Sequence, residues 1–424
     1  MIRRAHLLAV PLLAAVLTTA VTAVNDPDRL ACEQRTGTDC YTFGQLRTAY
    51  GIDRLARQGL TGTGRTVAVV DFIGAPGVRK DLQTFSDRLG LPAPDLRIVH
   101  HAPHDGPAAP FDWKNDTMAS SAEETTMDLE AVHAFAPEAK LVLHQIGAAP
   151  RDVDDQLSPD AFAALIEVLG DIVEHRSADV VSLSLGFPER GSGARGHDTY
   201  YKKASELFRL GNETGMTFVA ASGDNGVFDP NASDDGTHVR TTEWPASAPH
   251  VTGVGGTRLH LDDKGRRTGP DTVWNDDLGA SGGGLSKVFD RPRFQAGGRV
   301  AAVAGGRRAV PDISMTASGD GSTMVYITDA HGGSWQPLGG TSLAAPLFAG
   351  VVALADQRHG GGLGDVNTRL YALAPTPGEG ARAGVVDVTS GINGAGGHRA
   401  GDGYDLASGL GTVDAVRLVP ALAR

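Results

Sequence analysis

The sequence lacks several features that would stabilise or localise a protein by special means. It has only 2 cysteines in 424 residues, so disulfide bonds cannot hold together a fold of this size and a hydrophobic core must do so. Positive charge is in deficit, with 38 Lys and Arg against 50 Asp and Glu and a net charge of −12. This balance disfavours nonspecific binding to nucleic acid or to an anionic membrane surface. After residue 23, no apolar run is long enough to span a bilayer.

Glycine and apolar residues, by contrast, are abundant. The 56 glycines show no three-residue period, which excludes a collagen-like chain, and the hydrophobic fraction of 41% suffices for a sizeable core. At about 150 residues per domain the length favours two or three domains, although one large α/β domain also fits. These numbers indicate a soluble globular protein and leave its activity open.

The N-terminus has the pattern of a secretory signal. Residues 1–4 are basic, residues 6–23 are apolar, and residues 21–23 include the small side chains that a signal peptidase reads. A transmembrane anchor is the alternative, and Pro11 makes the segment a weak spanning helix. We therefore predict a signal peptide over residues 1–23, a secreted, extracellular protein, and no stable membrane association after the signal is removed.

The two cysteines lie close together, with seven residues between Cys32 and Cys40. In an oxidising compartment they would form one local disulfide loop. Two free thiols are the alternative. We assign residues 24–40 to a short N-terminal lead that carries both cysteines.

From residue 66 onward, short apolar runs alternate with longer amphipathic segments. The apolar runs predict strands at residues 66–72, 140–144, 179–185 and 217–222. The amphipathic segments predict helices at residues 120–135, 159–175 and 199–212, and a long apolar segment predicts a helix at 342–357. Strands that alternate with helices predict a mainly parallel sheet with helices on both faces. In such a sheet, functional groups gather at the carboxyl ends of the strands.

A serine at a predicted helix start is the first candidate for catalysis. Ser342 lies in the segment GGTSLAAP, residues 339–346, directly before the apolar helix. Unpaired backbone N–H groups at a helix N-terminus favour developing negative charge, and small residues before the serine allow a substrate backbone to approach. On this segment alone, a serine that merely caps its helix is an equally good interpretation.

Three acidic residues are the next candidates. Glu124 and Asp128 are four residues apart, so a helix places them on one face, where their mutual repulsion keeps a proton available for acid–base chemistry. An exposed acidic face is the commoner explanation of such a pair, but this helix is otherwise apolar. Asp224 follows a predicted strand in a glycine-containing turn, and the alternative for it is a simple turn aspartate.

Together these segments resemble the sedolisins, the serine-carboxyl peptidases related to the subtilisins. The resemblance implies that Ser342 is the nucleophile, that Glu124 and Asp128 complete a catalytic triad, and that Asp224 lines the oxyanion hole. It also implies a subtilisin-like three-layer α/β fold with a mainly parallel central sheet flanked by helices, and one peptidase domain over residues 41–424. Further matches to the family lie at residues 41–51, 243–247, 254–257, 281–284 and 289–295.

A subtilisin itself fits less well. Asp71 stands where a subtilisin keeps its triad aspartate, but Glu124 takes the place of the histidine, and His133 lies away from the motif position. An asparagine would also be expected in place of Asp224. The sedolisin pattern has its own departures, because the family often has Glu where Asp71 stands and Trp where Leu185 stands. We therefore expect the tuning of Glu124 and the neighbouring subsite to differ in this chain.

The C-terminal segments 387–391 and 401–405 resemble the family's calcium site. The implied ligands of one Ca²⁺ are two carboxylates and three backbone carbonyls, those of Asp387, Asp405, Val388, Gly401 and Gly403. A glycine-rich loop without metal is the alternative. His100, His101 and His104 lack a matched set of further ligands, so we assign them to a surface loop rather than to a transition-metal site.

Residues 182–186 are interpreted as an extended edge on which a substrate backbone pairs. Ser182, Ser184 and Gly186 are the candidate substrate-binding residues. Family precursors usually carry a long propeptide, whereas only residues 24–40 separate the expected signal from the expected catalytic domain. Self-inhibition and assisted folding by a propeptide therefore have no support in this sequence.

The expected reaction is hydrolysis of peptide or protein substrates by acyl transfer at acidic pH. Ser342 attacks the carbonyl, Glu124 accepts its proton while Asp128 orients it, and a protonated Asp224 stabilises the oxyanion. A catalytically retired, secreted binding or scaffold protein is the alternative. A glycosidase is disfavoured, because carboxylates one helical turn apart are poorly placed to flank a sugar bond. We expect a monomer, which acts either as an endopeptidase or as a tripeptidyl-peptidase.

Overall fold

A computed structural model describes residues 26–104, 106–155, 158–189, 198–228, 239–374 and 381–424. The expected signal peptide at residues 1–23 lies outside these ranges. Within them, no helix combines the length and the apolar character that crossing a membrane requires.

The helices and strands alternate along most of the described chain. The helices are α1 Pro27–Thr36, α2 Phe43–Tyr50, α3 Ile52–Ala56, α4 Val78–Leu89, α5 Asp116–Phe135, α6 Pro159–His175, α7 Asp198–Glu213, α8 Gly298–Ala304, α9 Thr341–His359, α10 Val366–Ala372 and α11 Ala415–Leu422. The strands are β1 Cys40–Tyr41, β2 Thr66–Phe72, β3 Asp95–His101, β4 Lys140–Ile146, β5 Val180–Leu183, β6 Phe187–Pro188, β7 Thr217–Ala221, β8 Glu243–Trp244, β9 Thr252–Arg258, β10 Thr272–Val273, β11 Asn275–Asp276, β12 Gly279–Ala280, β13 Gly284–Asp290, β14 Arg307–Val310, β15 Ile313–Thr316, β16 Ser322–Asp329, β17 Gly332–Leu338, β18 Ala381–Arg382, β19 Val385–Val386 and β20 Thr412–Val413.

The central sheet of the described chain has eight strands. Seven follow the order β10-β9-β7-β5-β2-β4-β3, and β15 also pairs with β9. Every pair in this sheet is parallel except β10 with β9. The predicted mainly parallel sheet is therefore confirmed.

The middle strand β2 shows why both faces of the sheet are buried. Its side chains alternate between two hydrophobic clusters: Val67 and Val69 pack with residues of α5 and α9, whereas Ala68 and Val70 pack with residues of α6 and α7. A strand covered on both faces reads as a continuous apolar run. The predicted three-layer arrangement of helix, sheet and helix is thus confirmed.

Two predictions about the sheet were wrong. His100 and His101 were assigned to a surface loop, but they end strand β3 at one edge of the sheet, and only His104 lies beyond it. The alternating exposure of an edge strand breaks up the apolar run that marks a buried strand. The predicted strand 179–185 is shorter, because β5 ends at Leu183 and the chain then leaves the sheet.

The N-terminal lead is folded against the rest of the chain. Cys32 and Cys40 form a disulfide bond, so the alternative of two free thiols is excluded. Strand β1, which begins at Cys40, pairs in parallel with β16. On the other side, the side chain of Arg88 binds Asp26 at 3.1 Å and Asp28 at 3.0 Å. The disulfide thus closes a loop within the lead, and strand pairing and ionic contacts attach the lead to the rest of the chain.

A buried ion pair organises the glycine-rich second half of the chain. Arg308 and Asp312 are both fully buried, and Arg308 Nη1 donates to Asp312 Oδ1 at 2.6 Å. Arg308 also donates to the carbonyl of Val251, while Asp312 accepts from the N–H of Gly253 at 2.8 Å and the hydroxyl of Tyr371 at 2.7 Å. The pair thereby ties β14 to β9 and to α10.

We expect Arg308→Met to lower the free energy of unfolding by about 3–5 kcal/mol, because it leaves the buried carboxylate of Asp312 without a cationic partner. Arg307→Met is the matched control, since the partner of Arg307, Asp290, is 90% exposed and the loss should stay below about 1 kcal/mol. Guanidinium titration of both variants measures the difference. Equal losses of unfolding free energy in the two variants would show that the buried ion pair stabilises the fold no more than the exposed pair does.

Candidate functional site

The candidate site lies where several strands of the central sheet end. Asp71 is the last but one residue of β2, Ser184 directly follows β5, and Asp224 comes shortly after β7. Because side chains alternate along a strand, Asp71 points to the same side as Val67 and Val69, toward α5. The carboxyl ends of these strands therefore meet the two helices that carry the remaining candidates.

Helix α5 supplies the pair of acids. It starts after Asn115, whose side chain caps it by accepting the N–H of Met118 at 2.9 Å. Glu124 and Asp128 lie one turn apart on this helix, as predicted. Asp128 is fully buried, so an exposed acidic face is excluded as the explanation of the pair.

Helix α9 supplies Ser342 from its first turn. The helix begins at Thr341 after Gly340, and no side chain caps it, so the helix-cap interpretation of Ser342 is wrong. Gly340 has a φ of 97°, which disfavours any residue with a Cβ. A Cβ there would also come within 2.6 Å of Asp224 Oδ2. Glycine at this position therefore lets the Ser342 turn and Asp224 approach each other.

Burial dominates the electrostatics of the acids. It raises the pKa of Asp71 to about 7 and the pKa of Glu124 to about 8, and the negative charge of Asp71 adds to the rise at Glu124. Burial also holds the pKa of Asp128 well above its usual range, with further contributions from Asp71 and Glu124. Hydrogen bonding with the Thr125 hydroxyl opposes the rise at Asp71 and offsets it only in part. The cluster therefore retains protons in mildly acidic solution.

A hydrogen bond between the side chains of Glu124 and Asp128 requires that one of the two carboxyl groups carries a proton. Glu124 Oε1 and Asp128 Oδ2 are both buried, and no N–H or O–H group of the described chain donates to them. A proton shared between these two oxygens would satisfy both. Hydrogen bonding with Ser342 also lowers the pKa of Glu124.

Asp224 is held by a residue that sequence reasoning missed. Thr341 donates to Asp224 Oδ1 from its backbone N–H at 2.8 Å and from its hydroxyl at 2.7 Å, and the same hydroxyl accepts the N–H of Gly223 at 3.0 Å. Burial raises the pKa of Asp224, and the Thr341 bonds oppose the rise. Because Oδ1 already accepts two hydrogens, the proton of a neutral Asp224 belongs on Oδ2. In the sequence, the position of Thr341 directly before the candidate nucleophile Ser342 was the feature that could have indicated this role.

The three candidate substrate-binding residues have different positions. Ser182 is fully buried inside β5 between two neighbouring strands, so its assignment needs correction because it cannot contact a substrate. Ser184 turns inward and donates to Asp128 Oδ1 at 2.9 Å and to the Ser342 carbonyl at 3.2 Å. Gly186 is exposed. Only Gly186 has the surface expected of a substrate-binding edge.

A cavity of about 220 Å³ opens beside the acid pair. Its lining consists of Asp71, Phe72, Thr117, Ser120, Ser121, Glu124, Ser184 and Leu185. Glu124 and Leu185 thus face the same space. A peptide that reached the candidate base would meet a leucine at the position where the family pattern often has Trp.

The C-terminal loop brings the two predicted calcium ligands onto one turn. The N–H of Gly403 donates to Asp387 Oδ2 at 2.7 Å, and the N–H of Gly401 donates to Asp405 Oδ2 at 3.0 Å. Asp387 Oδ1 is buried and has no donor from the described chain, which fits a hard cation. Asp405 Oδ1 accepts from the N–H of Ser408 at 2.9 Å, so the loop itself already orients this carboxylate.

Two further buried acids were not found from the sequence. Glu130 accepts the N–H of Tyr326 at 3.1 Å, and Asp81 accepts the N–H of Thr328 at 3.0 Å. Burial raises the pKa of both carboxyl groups. They hold β16 against α4 and α5 and lie outside the candidate site. The sequence feature that could have indicated Glu130 is a glutamate within the apolar part of α5.

The candidate site lies within a region that matches a known protein family. The model of the subtilase family matches residues 116–372, which contain Glu124, Asp128, Asp224 and Ser342. The chain belongs to the subtilase family. Within this family, it is 31% identical over 369 residues to sedolisin from Pseudomonas sp. (strain 101), an alignment that covers 84% of this chain and 58% of the relative. It is also 31% identical over 378 residues to kumamolisin from Bacillus sp. (strain MN-32), which covers 86% of this chain and 61% of the relative.

A solved structure agrees with these sequence matches. Pseudomonas sedolisin, a serine-carboxyl proteinase complexed with two molecules of pseudo-iodotyrostatin, superposes on this subtilase with a TM-score of 0.74 and 27% identity. The match covers 90% of this chain and 98% of that chain. The predicted sedolisin resemblance and subtilisin-like fold are thereby confirmed. The chain spans about three fifths of the length of the two curated relatives.

The raised pKa of Asp71 predicts how the stability of this subtilase depends on pH. Folding moves that pKa from 3.8 to about 7, so the folded chain keeps a proton that the unfolded chain releases. The resulting stabilisation is complete below about pH 4 and is lost as the pH rises through 7, with a slope of at most about 1.4 kcal/mol per pH unit. In Asp71→Asn this loss is absent. The free energy of unfolding, variant minus wild type, should therefore rise between pH 4 and pH 7.

Denaturant titrations at fixed pH steps measure this difference. Asp290→Asn is the control, because its carboxyl is exposed and its difference from wild type should stay flat over the same range. A flat difference for Asp71→Asn as well would contradict the assigned pKa shift.

Proposed function

We propose that the chain is a secreted serine-carboxyl peptidase that cleaves peptide bonds at acidic pH through Ser342, Glu124, Asp128 and Asp224. The observation that supports this most is the position of three buried acids around Ser342. Glu124 is hydrogen-bonded to both Ser342 and Asp128, and Asp224, whose pKa is raised by burial, is bonded to the adjacent Thr341. A base and a neutral hydrogen-bond donor are what acyl transfer to a serine requires.

The proposed reaction proceeds through an acyl-enzyme. Ser342 Oγ attacks the peptide carbonyl while Glu124 takes the hydroxyl proton and Asp128 keeps Glu124 oriented by its own hydrogen bond. Asp224 donates from Oδ2 to the oxyanion. Glu124 then gives its proton to the leaving amine as the C–N bond breaks. Water enters, loses a proton to Glu124 and attacks the ester, and the returned proton restores Ser342.

The pH dependence of the proposed reaction is set by Asp224, Asp128 and Glu124. Asp224 and Asp128 must be protonated to act as donors, and an ionised Asp224 would repel the oxyanion. Glu124 must be ionised to act as the base. Activity therefore requires a pH high enough to remove one proton from the acid pair and low enough to keep Asp224 neutral, which gives a bell-shaped profile. We place its optimum below neutrality because the family resemblance implies it. The hydrogen bonds with Ser342 and Asp128 lower the pKa of Glu124 and so oppose the rise caused by burial.

The location and domain organisation are part of the proposal. Residues 1–23 would direct secretion, residues 24–40 would form the lead, and residues 41–424 the peptidase domain. The Cys32–Cys40 disulfide supports an oxidising compartment. A net charge of −12 supports peptide or protein substrates over nucleic acid. We propose a monomer whose substrates pair near Gly186.

We expect Ser342→Ala to lower peptidase activity by at least about 10³-fold, because no other nucleophile takes over acyl transfer. Mass spectrometry of a peptide library digested from pH 2 to pH 9 measures both the cleavage and its optimum, which we expect below pH 7. A peptide-aldehyde probe should label the wild type at acidic pH and fail to label the variant.

Ser314→Ala is the control for a lost serine hydroxyl, since Ser314 is fully buried in β15 and donates to the Ser408 carbonyl at 3.0 Å. It should keep the acidic optimum and the probe labelling. A neutral or alkaline optimum would contradict the carboxyl mechanism. A wild type that neither cleaves nor binds the probe would favour a retired peptidase fold with a binding or scaffold role.

We also propose one structural Ca²⁺ at the C-terminal loop. The orphaned Oδ1 of Asp387 supports it, as does the convergence of Asp387 and Asp405 on the turn that contains Gly401 and Gly403. Together with the carbonyl of Val388, these are the ligands that the family resemblance implies. Bound calcium would neutralise two carboxylates and join two loop segments.

Calcium should therefore raise the unfolding temperature, by the equivalent of about 2.7 kcal/mol at a concentration of 100 times Kd. Thermal melts with added CaCl₂ or with EDTA measure the shift. Asp387→Asn should abolish most of it, whereas Asp402→Asn, in the same loop but exposed, should retain it. Identical melts of the wild type with calcium and with EDTA would contradict the site.

A further inference from the structure

The hydroxyl of Ser184 lies between the acid pair and the nucleophile. It is within 2.9 Å of Asp128 Oδ1 and 3.2 Å of the Ser342 carbonyl oxygen. Ser184 is 9% exposed, and its position is fixed by the end of β5 in the middle of the sheet. A single hydroxyl therefore connects helix α5 to the first turn of helix α9.

The Ser342 carbonyl is available to Ser184 because of a proline. In an α-helix this carbonyl would accept the N–H of the residue four positions later, which is Pro346 and has no N–H. The carbonyl would otherwise be an unsatisfied acceptor in the first turn of α9. Ser184 has one hydroxyl hydrogen, which it shares in a three-centre bond between Asp128 Oδ1, the nearer acceptor at 2.9 Å, and the Ser342 carbonyl at 3.2 Å. The spacing between Ser342 and Pro346 leaves the carbonyl free for this second, longer contact.

We propose that Ser184 is a positioning residue of the reaction: its hydroxyl holds Asp128 Oδ1 as an acceptor and thereby fixes the Asp128 proton on Oδ2, directed to Glu124. This inference rests on the proposed peptidase function. It replaces the substrate-binding role that the sequence suggested for Ser184.

The unpaired oxygens of the acid pair support this assignment. A neutral carboxyl group has one hydrogen, which can sit on either oxygen. Ser184 donates to Oδ1 of Asp128, whereas Oδ2 of Asp128 and Oε1 of Glu124 are buried and receive no hydrogen from the rest of the described chain. With the proton on Oδ2, all three oxygens have a hydrogen-bond partner. With the proton on Oδ1, Asp128 Oδ2 and Glu124 Oε1 would both be buried without a hydrogen-bond partner.

The charged groups around the pair do not fix the proton in the same way. Asp71 approaches from β2 and Asp224 from the segment after β7, and both act on the pair only as negative charges that favour the protonated state. Neither charge distinguishes one oxygen of Asp128 from the other. Of the described residues, Ser184 is the one that donates to Asp128 from outside α5.

Removal of the hydroxyl should change the chemistry more than the binding of substrate. In Ser184→Ala the ionised form of the pair loses a donor, so its first proton is released at a higher pH. We expect the acidic limb of the kcat profile to move up by about half a pH unit to one unit and kcat at the optimum to fall about tenfold. KM should stay within about twofold. Ser184→Thr, which keeps a hydroxyl, should retain the wild-type profile.

The experiment measures kcat and KM from pH 2 to pH 7 for the wild type, both Ser184 variants and Ser314→Ala. Ser314→Ala loses a buried hydroxyl of similar burial outside the site, so it should lose stability without a shift of the limb. Ser184→Cys, whose thiol is a weak donor of similar size, should give an intermediate shift and replaces the alanine variant if that variant fails to fold.

A second readout does not depend on activity. In a Ser342→Ala background with ¹³C-labelled aspartate, NMR titration follows the Asp128 carboxyl carbon, and the added Ser184→Ala change should raise its midpoint. An unchanged midpoint and an unchanged limb would overturn the inference. A raised KM with an unchanged limb would return Ser184 to substrate binding and overturn it as well. A wild type without acid peptidase activity would contradict the proposed function, while the NMR titration would still test Ser184.

Discussion

The withdrawal of carboxyl groups from water, without a cation to compensate, is the constraint on which the site depends. Asp71, Glu124, Asp128 and Asp224 shift upward in pKa chiefly because of burial, and the groups that oppose the shift are hydroxyls, an N–H and one another. A lysine or arginine in this position would ionise the acids and leave no proton to donate. The fold therefore brings these acids together from β2, α5 and the segment after β7, where the sheet and helices exclude water.

Neutral acids create a second requirement, because a carboxyl proton must be on the correct oxygen. The structure meets it in the same way twice. Thr341 donates to Oδ1 of Asp224, and Ser184 donates to Oδ1 of Asp128, so in each acid the other oxygen carries the proton. The Thr341 hydroxyl also accepts the N–H of Gly223, which leaves its own hydrogen for Asp224. The one hydrogen of Ser184 is shared between Asp128 Oδ1 and the more distant Ser342 carbonyl. Neighbouring hydroxyl groups thus decide from which oxygen each acid can donate.

The sequence predicted the parts of this arrangement that depend on local spacing. The strand β2 has the predicted bounds, α5 starts four residues earlier than predicted, and the four-residue spacing of Glu124 and Asp128 was sufficient to place them on one face. Roles that depend on distant contacts were not predictable. Thr341 acts on an acid 117 residues away, and Ser184 on one 56 residues away. Ser182 and Ser184 look equivalent in a strand of period two, and they differ because β5 ends between them.

Burial shifts the pKa values of histidines and of acids in opposite directions. Burial lowers the pKa of His133 and of His144 to about 4, whereas it raises that of Asp71 to about 7 and that of Glu124 to about 8. Between about pH 4 and pH 7, these histidines are already neutral and Asp71 still holds its proton. The same groups add positive charge to the interior below this range and negative charge above it. Catalysis sets a further condition, because the acid pair must release one proton before Glu124 can act as the base.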